Sequence, residues 1–463
     1  MNPPFDIPAD LDTPVSAFLK LAPLAPRFLL ESVVGGDTVG RFSFLGLGDG
    51  IEVLLDDHAT RIGDELLPAA RTAAEVKDHL RRALAAAPQL SPELPGVPFT
   101  GGLVGQVDHD LVRRFEPVGA RADAPPRAAF FAPRSVLVFD HVQRRVALLH
   151  EGTEAQRADL RRRVLACLRR PVPDDLGGGP STSPTPSLSR AAFCDAVHQT
   201  QQLIRDGEVF QLVLSTRFTG TTTAHPFAVY RALRLLNPSP YMVYLQVGGR
   251  TLVGSSPEAL VTLRGTEARL RPIAGTRPRS PDATEDQRLE DELRADPKEG
   301  AEHVMLVDLA RNDLGRVAAP GTVEVRPFRE VERYSHVMHL VSGVHGQLCP
   351  DIDAFDLFEA CFPAGTVSGA PKVRALQHID RLEPVARGFY AGTMGYFGHG
   401  GTLDHALAIR TLCFEGDRYA FQAGAGIVAD SRPDAEYDEV LAKSEAMRRA
   451  LDLAAQLGAR EAS

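Results

Sequence analysis

The sequence is short of several features that mark particular classes of protein. It contains no tryptophan, an absence that excludes nothing by itself, and only five cysteines in 463 residues. The cysteines form no CxxC pair, so their scatter fits free thiols in a reducing cytoplasm better than disulfides or a zinc site. With 51 Lys and Arg against 60 Asp and Glu, the net charge is −9 and no basic block offsets it. This balance argues against a nucleic-acid partner.

Targeting and membrane segments are also missing. The N-terminal segment MNPPFDIPADLD lacks both the basic start and the apolar run of a signal peptide. No stretch is long and apolar enough to span a membrane. Hydrophobic residues make up 44% and charged residues 24% of the chain, as in ordinary soluble globular proteins. We therefore expect a cytoplasmic protein with no membrane partner, folded into roughly two to three domain-sized units.

A stretch rich in proline, glycine and serine divides the chain. Residues 171–187 read PVPDDLGGGPSTSPTPS and offer almost nothing to bury, a composition typical of an exposed linker. The sequence thus predicts an N-terminal region over 1–170, a flexible linker over 171–188 and a C-terminal region over 189–463.

The spacing of turns predicts antiparallel sheets. Glycine-containing turns such as 248–249, 265–266 and 399–401 join successive strands too tightly for parallel crossovers. One long strand is predicted over 403–412, and two short ones over 42–47 and 51–55. The later helices come in separate blocks, predicted over 226–236, 283–294, 299–314, 371–382 and 434–457. Strands grouped apart from helices indicate an α+β fold, with helices covering antiparallel sheets.

The segment 361–382 combines a loop of small residues with the start of a helix. Gly365, Thr366 and Gly369 allow a tight loop, and Pro371 stands at the expected first helical position. Free backbone N–H groups at a helix start attract anions. The functional interpretation is a cradle for a substrate carboxylate, and the alternative is a tight loop that only turns the chain. The residues alone do not separate the two.

Two pairs of glutamates are spaced to share a helix face. Glu299 and Glu302 lie three residues apart on one predicted helix, and Glu436 and Glu439 repeat that spacing on the last long helix, with Lys443 further along the same face. For a single pair of this kind, a solvated helix face is the commoner explanation.

Three segments resemble one enzyme family, in the same order along the chain. FPAGTVSGAPK at 362–372 resembles the signature of the chorismate-utilising enzymes, in particular the synthase subunits of anthranilate synthase. EHVMLVDLARND at 302–313 and GAGIVADS at 424–431 match the same family, and each adjoins one glutamate pair. The resemblance is dense from residue 189 to the C-terminus and thinner before it.

The resemblance implies a fold and an activity. The fold is two antiparallel β-sheets face to face, flanked by helices. The activity is a lyase reaction, the first committed step of tryptophan biosynthesis, in which chorismate and ammonia give anthranilate and pyruvate through an aminated intermediate, 2-amino-2-deoxyisochorismate. The chain has no cysteine in a GxCxGxQ-like context. The resemblance therefore also implies a separate glutamine amidotransferase subunit that supplies ammonia, and hence a hetero-oligomer.

The glutamate pairs are expected to hold a magnesium ion. Chorismate carries two carboxylates, which acidic side chains repel unless a divalent cation lies between them. Ligation by oxygen alone, with room for substrate and water, suits Mg²⁺. By the resemblance, Glu302 and Glu439 are the direct ligands, while Glu299 and Glu436 act largely through water.

Glu258, His339 and Thr366 are the candidate catalytic residues. Glu258 follows the turn 254–257, where a sheltered carboxyl with a raised pKa could donate a proton; the alternative is an ordinary acid at a strand start. The resemblance makes Glu258 the general acid for loss of the C4 hydroxyl and His339 an aid to loss of pyruvate. If 334–342 is a strand, His336 and His339 point to opposite faces and form no metal pair.

The resemblance also supplies the residues of the substrate pocket. Arg410 and Lys443 are available to pair with a substrate carboxylate, which arginine can bind bidentately. The alternative for Arg410 is a surface salt bridge. The complete set of pocket residues carried over from the family is Gln211, Gly275, Thr276, Tyr390, Arg410, Gly424, Gly426 and Lys443.

Two positions distinguish sibling reactions within the family. Gln211 stands where relatives that add water carry a lysine base, and Ala274 stands where the aminodeoxychorismate relatives of the folate pathway carry a nucleophilic lysine. Both favour direct attack of ammonia at C2 and an ortho amine product. The nearest alternative is component I of aminodeoxychorismate synthase, and a more remote one is a non-catalytic regulator that binds chorismate or tryptophan.

A dinucleotide-binding site is a further alternative from another class. Residues 424–429, GAGIVA, imitate a G-x-G-x-x-A fingerprint between a strand and a helix. The strands before it are joined by hairpins, however, whereas a dinucleotide fold needs parallel βαβ crossovers.

Two segments resemble the site at which tryptophan inhibits anthranilate synthases. They are LLES at 29–32 and NPSPYM at 237–242. The expected tryptophan contacts are Glu31, Ser32, Pro240, Tyr241 and Met242, with Glu31 meeting the amino group and Tyr241 or Met242 covering the indole. Gln106 and His405 depart from the family pattern, and no chemical role is assigned to either.

Overall fold

The computed structural model describes residues 4–32, 40–173, 177–334 and 337–459. Within them the strands, β1 to β24 in chain order, are Ile7–Pro8, Pro26–Glu31, Phe42–Leu55, Ala59–Ile62, Glu65–Pro68, Gly102–Val107, Ala128–Asp140, Arg145–His150, Thr185–Pro186, Gln211–Thr221, Tyr241–Val247, Arg250–Ser256, Ala259–Arg264, Glu267–Leu270, Ile273–Pro278, Glu324–Val325, Glu330–Arg333, Val337–Val341, Val344–Gln347, Gly369–Ala370, Thr393–Gly398, Thr402–Leu407, Thr411–Glu415 and Arg418–Ile427.

The helices of the described residues, α1 to α10, are Pro14–Lys20, Ala73–Ala86, Glu154–Leu168, Arg190–Arg205, Pro226–Leu236, Ala283–Ala295, Pro297–Gly315, Ala354–Cys361, Lys372–Leu382 and Pro433–Ala459. Short 3₁₀ turns add Ala22–Leu24, His109–Arg114 and Gly365–Val367. None of the helices in this described part of the chain is long and apolar enough to cross a membrane.

Antiparallel pairing dominates the sheets, as predicted. Twenty-one strands form one hydrogen-bonded network, and β15, β17 and β18 form a separate small sheet. Every strand pairing between described residues is antiparallel, including those of β24 with β10 and β23. Gly424 and Gly426 lie inside β24 and are paired along it with β10, so the dinucleotide-binding alternative is wrong: the glycines form no loop between a strand and a helix. The α+β class is confirmed.

Two hydrophobic cores hold the layers together. Alternate residues of β11 serve both: Val243 and Leu245 join one core, while Met242 and Tyr244 join the other. The first core also contains residues of α2, α7 and α8, and the second contains residues of α1, α3, α4, α5, α9 and α10. The strands therefore lie between helices on both sides.

Strand pairing crosses the division predicted from composition. β2 pairs with β11, and β6 pairs with β21, so strands from before and after the proline-rich stretch share one sheet. The described part of that stretch, 177–188, is bonded to the sheet: the Thr182 N–H donates to the Thr221 carbonyl at 2.9 Å, and the Ser187 N–H to the Arg217 carbonyl at 2.7 Å. Residues 177–188 are therefore hydrogen-bonded to the sheet at these two points. The division into an N-terminal region, a linker and a C-terminal region stays a prediction.

Three local predictions need correction. The strand predicted over 403–412 is two strands, β22 and β23, because Arg410 adopts a left-handed conformation (φ 48°) that breaks the ladder. The two strands predicted over 42–55 are one, β3, with an irregular register between Leu47 and Gly50. Pro371 is the N-cap of α9, with an extended backbone, and helical structure begins one residue later.

Gly395 provides a test of the pairing between β21 and β22. A methyl group there would collide with the backbone carbonyl of Asp404 on β22, which cannot move without disturbing the ladder. We expect Gly395→Ala to lower the free energy of unfolding by about 1–3 kcal/mol, measured by urea denaturation. Gly315, on α7, has open space at its missing Cβ. Gly315→Ala should be neutral or stabilising by up to about 1 kcal/mol, and an equal loss in both variants would contradict the close approach at Gly395.

Candidate active site

Glu258 and Thr366 meet where β13 begins. The Thr366 hydroxyl donates to Glu258 Oε1 at 2.8 Å, and the backbone carbonyl of Glu258 accepts from the Leu407 N–H at 3.0 Å. Burial raises the pKa of Glu258 to about 7, although the Thr366 hydrogen bond and the positive charges of Lys443 and Arg410 oppose the rise. The carboxyl can therefore carry a proton near neutral pH and release it.

A small cavity adjoins the Glu258 carboxyl. Its volume is about 40 Å³, and its wall is mostly apolar, with Leu306 and Leu309 contributed by α7. Asp313 and Arg271 also line it. Asp313 is paired with Lys372 at 2.8 Å, at the start of α9. The low polarity of this wall accounts for the effect of burial on Glu258.

His339 is fixed against β15 by two contacts. Its Nδ1 lies 2.9 Å from the Gly275 carbonyl and 3.1 Å from Thr276 Oγ1. Burial lowers the pKa of His339 and the charge of Arg410 lowers it further, so the ring is neutral at neutral pH. Donation from Nδ1–H to the carbonyl leaves Nε2 as the acceptor nitrogen. His336, the other member of the HxxH spacing, lies outside the described residues.

The two glutamate pairs converge from α7 and α10. The pKa of Glu302 is raised by burial and by the negative charges of Glu299 on its own helix and Glu439 on the other. Burial and the charge of Glu439 raise the pKa of Glu436 in the same way. Gly275 brings β15 to this cluster, since a Cβ there would lie 3.1 Å from Glu299 Oε2. The structure therefore places the acidic cluster beside the His339 segment.

The acidic cluster offers few protein ligands to a metal ion. Across the described residues, no three His, Cys, Asp or Glu side chains stand close enough together to hold a metal ion. An ion bound between Glu302 and Glu439 would therefore complete its coordination with water and substrate oxygens. Mg²⁺ is commonly bound in this way, through one or two carboxylates.

Glycines on β24 make room for the polar side chains predicted to contact substrate. A Cβ at Gly426 would lie 2.5 Å from Gln211 Nε2, and one at Gly424 would lie 3.0 Å from the Tyr390 hydroxyl. Lys443 Nζ donates to the Gly424 carbonyl at 3.1 Å and pairs with Glu439 at 2.6 Å. Lys443 therefore links Glu439 on α10 to strand β24.

Arg410 has no carboxylate partner among the described residues. It is half-buried in the break between β22 and β23, and no carboxylate of the described residues lies within 4 Å of its guanidinium. Burial lowers its pKa and the charge of Glu258 raises it. The alternative of a surface salt bridge is therefore not what the structure shows.

The residues predicted to contact tryptophan divide between two faces of β11. Glu31 is paired directly opposite Met242, and its buried carboxylate accepts from the Tyr230 hydroxyl and from Arg234 at 3.2 Å. Met242 is fully buried in the second core. Tyr241, next along the strand, points to the other face, where burial and the nearby Asp404 raise its pKa. Ser32 and Pro240 flank these strands.

Sequence reasoning missed a buried ion pair beneath the site. Arg387 and Glu383, four residues apart after α9, have almost no solvent exposure. A glutamate and an arginine at this spacing are usually a solvated surface pair, so no sequence signal distinguished them. Arg387 lies three residues before Tyr390, and this closeness was the one available hint.

Comparison with known proteins gives this geometry a context. Residues 27–449 match the family described as chorismate binding enzyme. Component 1 of anthranilate synthase from Thermus thermophilus is 45% identical over 458 residues, covering 96% of both chains. The corresponding Streptomyces coelicolor protein is 44% identical, covering 96% of this chain and 87% of that protein.

A solved structure shows the same fold. The crystal structure of anthranilate synthase component I from Streptococcus pneumoniae superimposes with a TM-score of 0.78 at 35% identity, covering 90% of this chain and 94% of that one. The chain therefore belongs to the chorismate-binding enzyme family, among the proteins known as component 1 of anthranilate synthase.

Proposed function

We propose that the chain is the synthase subunit of an anthranilate synthase, which converts chorismate and ammonia to anthranilate and pyruvate. The observation that carries the proposal is the protonatable carboxyl of Glu258, held by Thr366 beside the unpaired cation Arg410. A general acid next to an anion-binding group suits a substrate that carries both a leaving hydroxyl and carboxylates. The extensive similarity to component 1 proteins supports the same assignment.

In the first stage, Glu258 acts as the general acid. Its proton passes to the C4 hydroxyl of chorismate, which leaves as water. The lone pair of ammonia forms the bond to C2, both ring double bonds shift by one position as the C4–O bond breaks, and the resulting ammonium group loses one proton. Gln211 and Ala274 provide no lysine nearby that could activate water or attack the ring. This absence disfavours the aminodeoxychorismate synthase alternative.

In the second stage, His339 accepts the proton that leaves C2. The ring becomes aromatic as this proton is lost and the C3–O bond breaks, and the enolpyruvyl group takes up a proton to become pyruvate. Because Nδ1 is held by the Gly275 carbonyl, Nε2 is the nitrogen that can accept the proton.

The acidic cluster would hold Mg²⁺ in this enzyme. Glu302 and Glu439 would be direct ligands, and Glu299 and Glu436 would act through water. When bound, the ion offsets the negative charge of the substrate carboxylate and lets a dianion enter an acidic site. Support comes from the pKa values of Glu302 and Glu436, which are raised by burial and further raised by the repulsion of neighbouring carboxylates.

The partners follow from the chemistry. The name component 1 carried by the relatives implies a second component, and we assign it as a glutamine amidotransferase that delivers ammonia, giving a cytoplasmic hetero-oligomer. L-Tryptophan is the proposed feedback inhibitor, binding where β2 pairs with β11. Its support is limited to the LLES and NPSPYM segments, which the pairing brings together.

One assay tests the proposed function. The purified chain is given chorismate, Mg²⁺ and an ammonium salt, and anthranilate is followed by its fluorescence. Glutamine in place of ammonium should give no product until an amidotransferase subunit is added, and tryptophan should reduce the rate. Formation of a para amine, or of no amine at all, would contradict the proposal.

Replacement of Glu439 tests the metal site. Glu439→Gln keeps the size of the side chain but removes a charged ligand, so Mg²⁺-dependent turnover should fall by about 100-fold or more. The measurement is the anthranilate rate as a function of Mg²⁺ concentration. Glu445→Gln, on the same helix but paired with Arg448, is the control and should behave as wild type. A wild-type Mg²⁺ dependence in Glu439→Gln would remove the cluster from that role.

The ionisation of Glu258 should appear in protein stability. Its folded-state pKa of about 7 lies above the unfolded value, so the stability it contributes is complete at low pH and is lost as pH rises through 7. Between pH 5 and 8, Glu258→Gln should therefore gain roughly 2–3 kcal/mol relative to wild type in urea unfolding. Glu93→Gln, at an exposed acid, controls for the loss of one charge. A constant difference across this range would show that Glu258 is ionised throughout.

Removal of His339 should separate the two stages. In His339→Ala, amination continues while loss of pyruvate slows, so the aminated intermediate should accumulate and be detectable by chromatography of quenched reactions. His198→Ala, at an exposed position on α4, is the control. Equal loss of intermediate and product would show instead that His339 is needed for both stages.

A further inference from the structure

Arg387 lies beneath the active site with almost no access to solvent. Its side chain and that of Glu383 are each 2% exposed. The Arg387 guanidinium donates from Nε and Nη2 to the two carboxylate oxygens of Glu383, at 3.0 and 2.8 Å. It also donates from Nη1 to the Val367 carbonyl at 2.6 Å and from Nη2 to the Val213 carbonyl at 2.8 Å.

Each acceptor outside the ion pair adjoins a residue of the site. Val367 directly follows Thr366, whose hydroxyl donates to Glu258. Val213 is two residues from Gln211 along β10. The Tyr390 ring lies over the same guanidinium, with its centroid 5.6 Å from Arg387 Cζ. One buried side chain thus connects three segments that build the site.

Glu383 fixes the other side of the pair. Its Oε1 accepts from the backbone N–H and the hydroxyl of Ser215, at 2.9 and 2.6 Å, and Gln422 donates to the same hydroxyl at 2.8 Å. The carboxylate is therefore tied to β10 and, through Gln422, to β24. The pair of Arg387 and Glu383 is therefore held by hydrogen bonds to both strands.

Stability alone does not explain this arrangement. Apolar side chains of similar volume commonly replace a buried ion pair at no loss of stability. The planar fork of arginine can donate to a carboxylate and to two carbonyls at once, which the single ammonium of lysine cannot do in the same geometry. The use of arginine here matches a need to hold several groups in fixed relative positions.

We propose that Arg387 is a positioning residue for the Glu258 site: by holding the Val367 carbonyl, it orients the preceding residue so that the Thr366 hydroxyl points at Glu258. The kinetic part of its test rests on the proposed function, and the stability part does not. Loosening the Val367 peptide should weaken the hydrogen bond from Thr366 to Glu258. That hydrogen bond favours the ionised form of the Glu258 carboxyl. The other charged groups that face Glu258 are Lys443 and Arg410, with Arg271 and Asp313 along the adjoining cavity.

A double-mutant cycle tests the coupling between Arg387 and Thr366. Arg387→Lys and Thr366→Val should each lower kcat for anthranilate formation by about 10-fold or more, through misplacement of Glu258 and its partner. The combined variant should be no worse than Thr366→Val alone, because both changes remove the same hydrogen bond. Fully additive losses in kcat would overturn the proposal.

A second measurement needs no turnover. The pH dependence of urea unfolding, compared between Glu258→Gln and its parent, reports the pH at which Glu258 loses its proton. This transition should move to higher pH in the Arg387→Lys background, as it does in Thr366→Val. An unmoved transition would overturn the proposal even in an active enzyme. Absence of anthranilate from wild type, with the shift present, would instead contradict the proposed function alone.

Arg113 offers a matched control. Its side chain is also buried, and it donates to Asp380 at 2.6 and 2.8 Å. Arg113→Lys should reduce stability without moving the Glu258 transition, and an equal shift in this variant would show a general effect of loosened packing. If Arg387→Lys does not fold, the pair Arg387→Gln with Glu383→Gln removes both buried charges and gives the same two readouts.

Discussion

Burial of one carboxyl against a threonine hydroxyl is the interaction on which the rest of the site depends. As the proposed general acid, Glu258 must be protonated to give a proton and ionised afterwards, so its pKa has to lie near the working pH. Burial beside an apolar wall pushes the pKa up, while Thr366, Lys443 and Arg410 hold it down, and the balance lies at about 7. Both contributions to the pKa depend on where the surrounding side chains are held. Every element that fixes Thr366 or Arg410 therefore also sets the chemistry of Glu258.

The acidic cluster presents the opposite problem, since its members repel one another. Glu302 and Glu439 belong to different helices, and each raises the cost of ionising its neighbours. Such a cluster is held together by packing elsewhere: α10 is anchored by the second core through Val440, Met447 and Leu451, and α7 by the first core through Leu314. The hydrophobic cores thus maintain an arrangement of charge that the charges themselves disfavour.

Local features were predictable from the sequence, and long-range ones were not. The spacing of Thr72 and Glu75 indicates a capping box, which the structure contains, and α5 begins and ends at the predicted residues. The strand break at Arg410 and the buried pair of Arg387 with Glu383 could not be predicted. Their conformations depend on contacts with distant strands, as when Arg387 reaches Val213, 174 positions away in the chain.

The strand register also explains how the N-terminal region can influence chemistry at Glu258. β2 pairs with β11, and β11 places Tyr241 opposite Ser256, whose hydroxyl accepts from the Glu258 N–H at 3.4 Å. In the proposed feedback inhibition, a ligand that binds one arrangement of these strands more tightly than another would shift the position of Glu258 relative to Thr366. Such a shift would change the Thr366 hydrogen bond, one of the contacts that lower the pKa of Glu258. The proposed route from the inhibitor site to the acid therefore runs through the paired strands β2, β11 and β12.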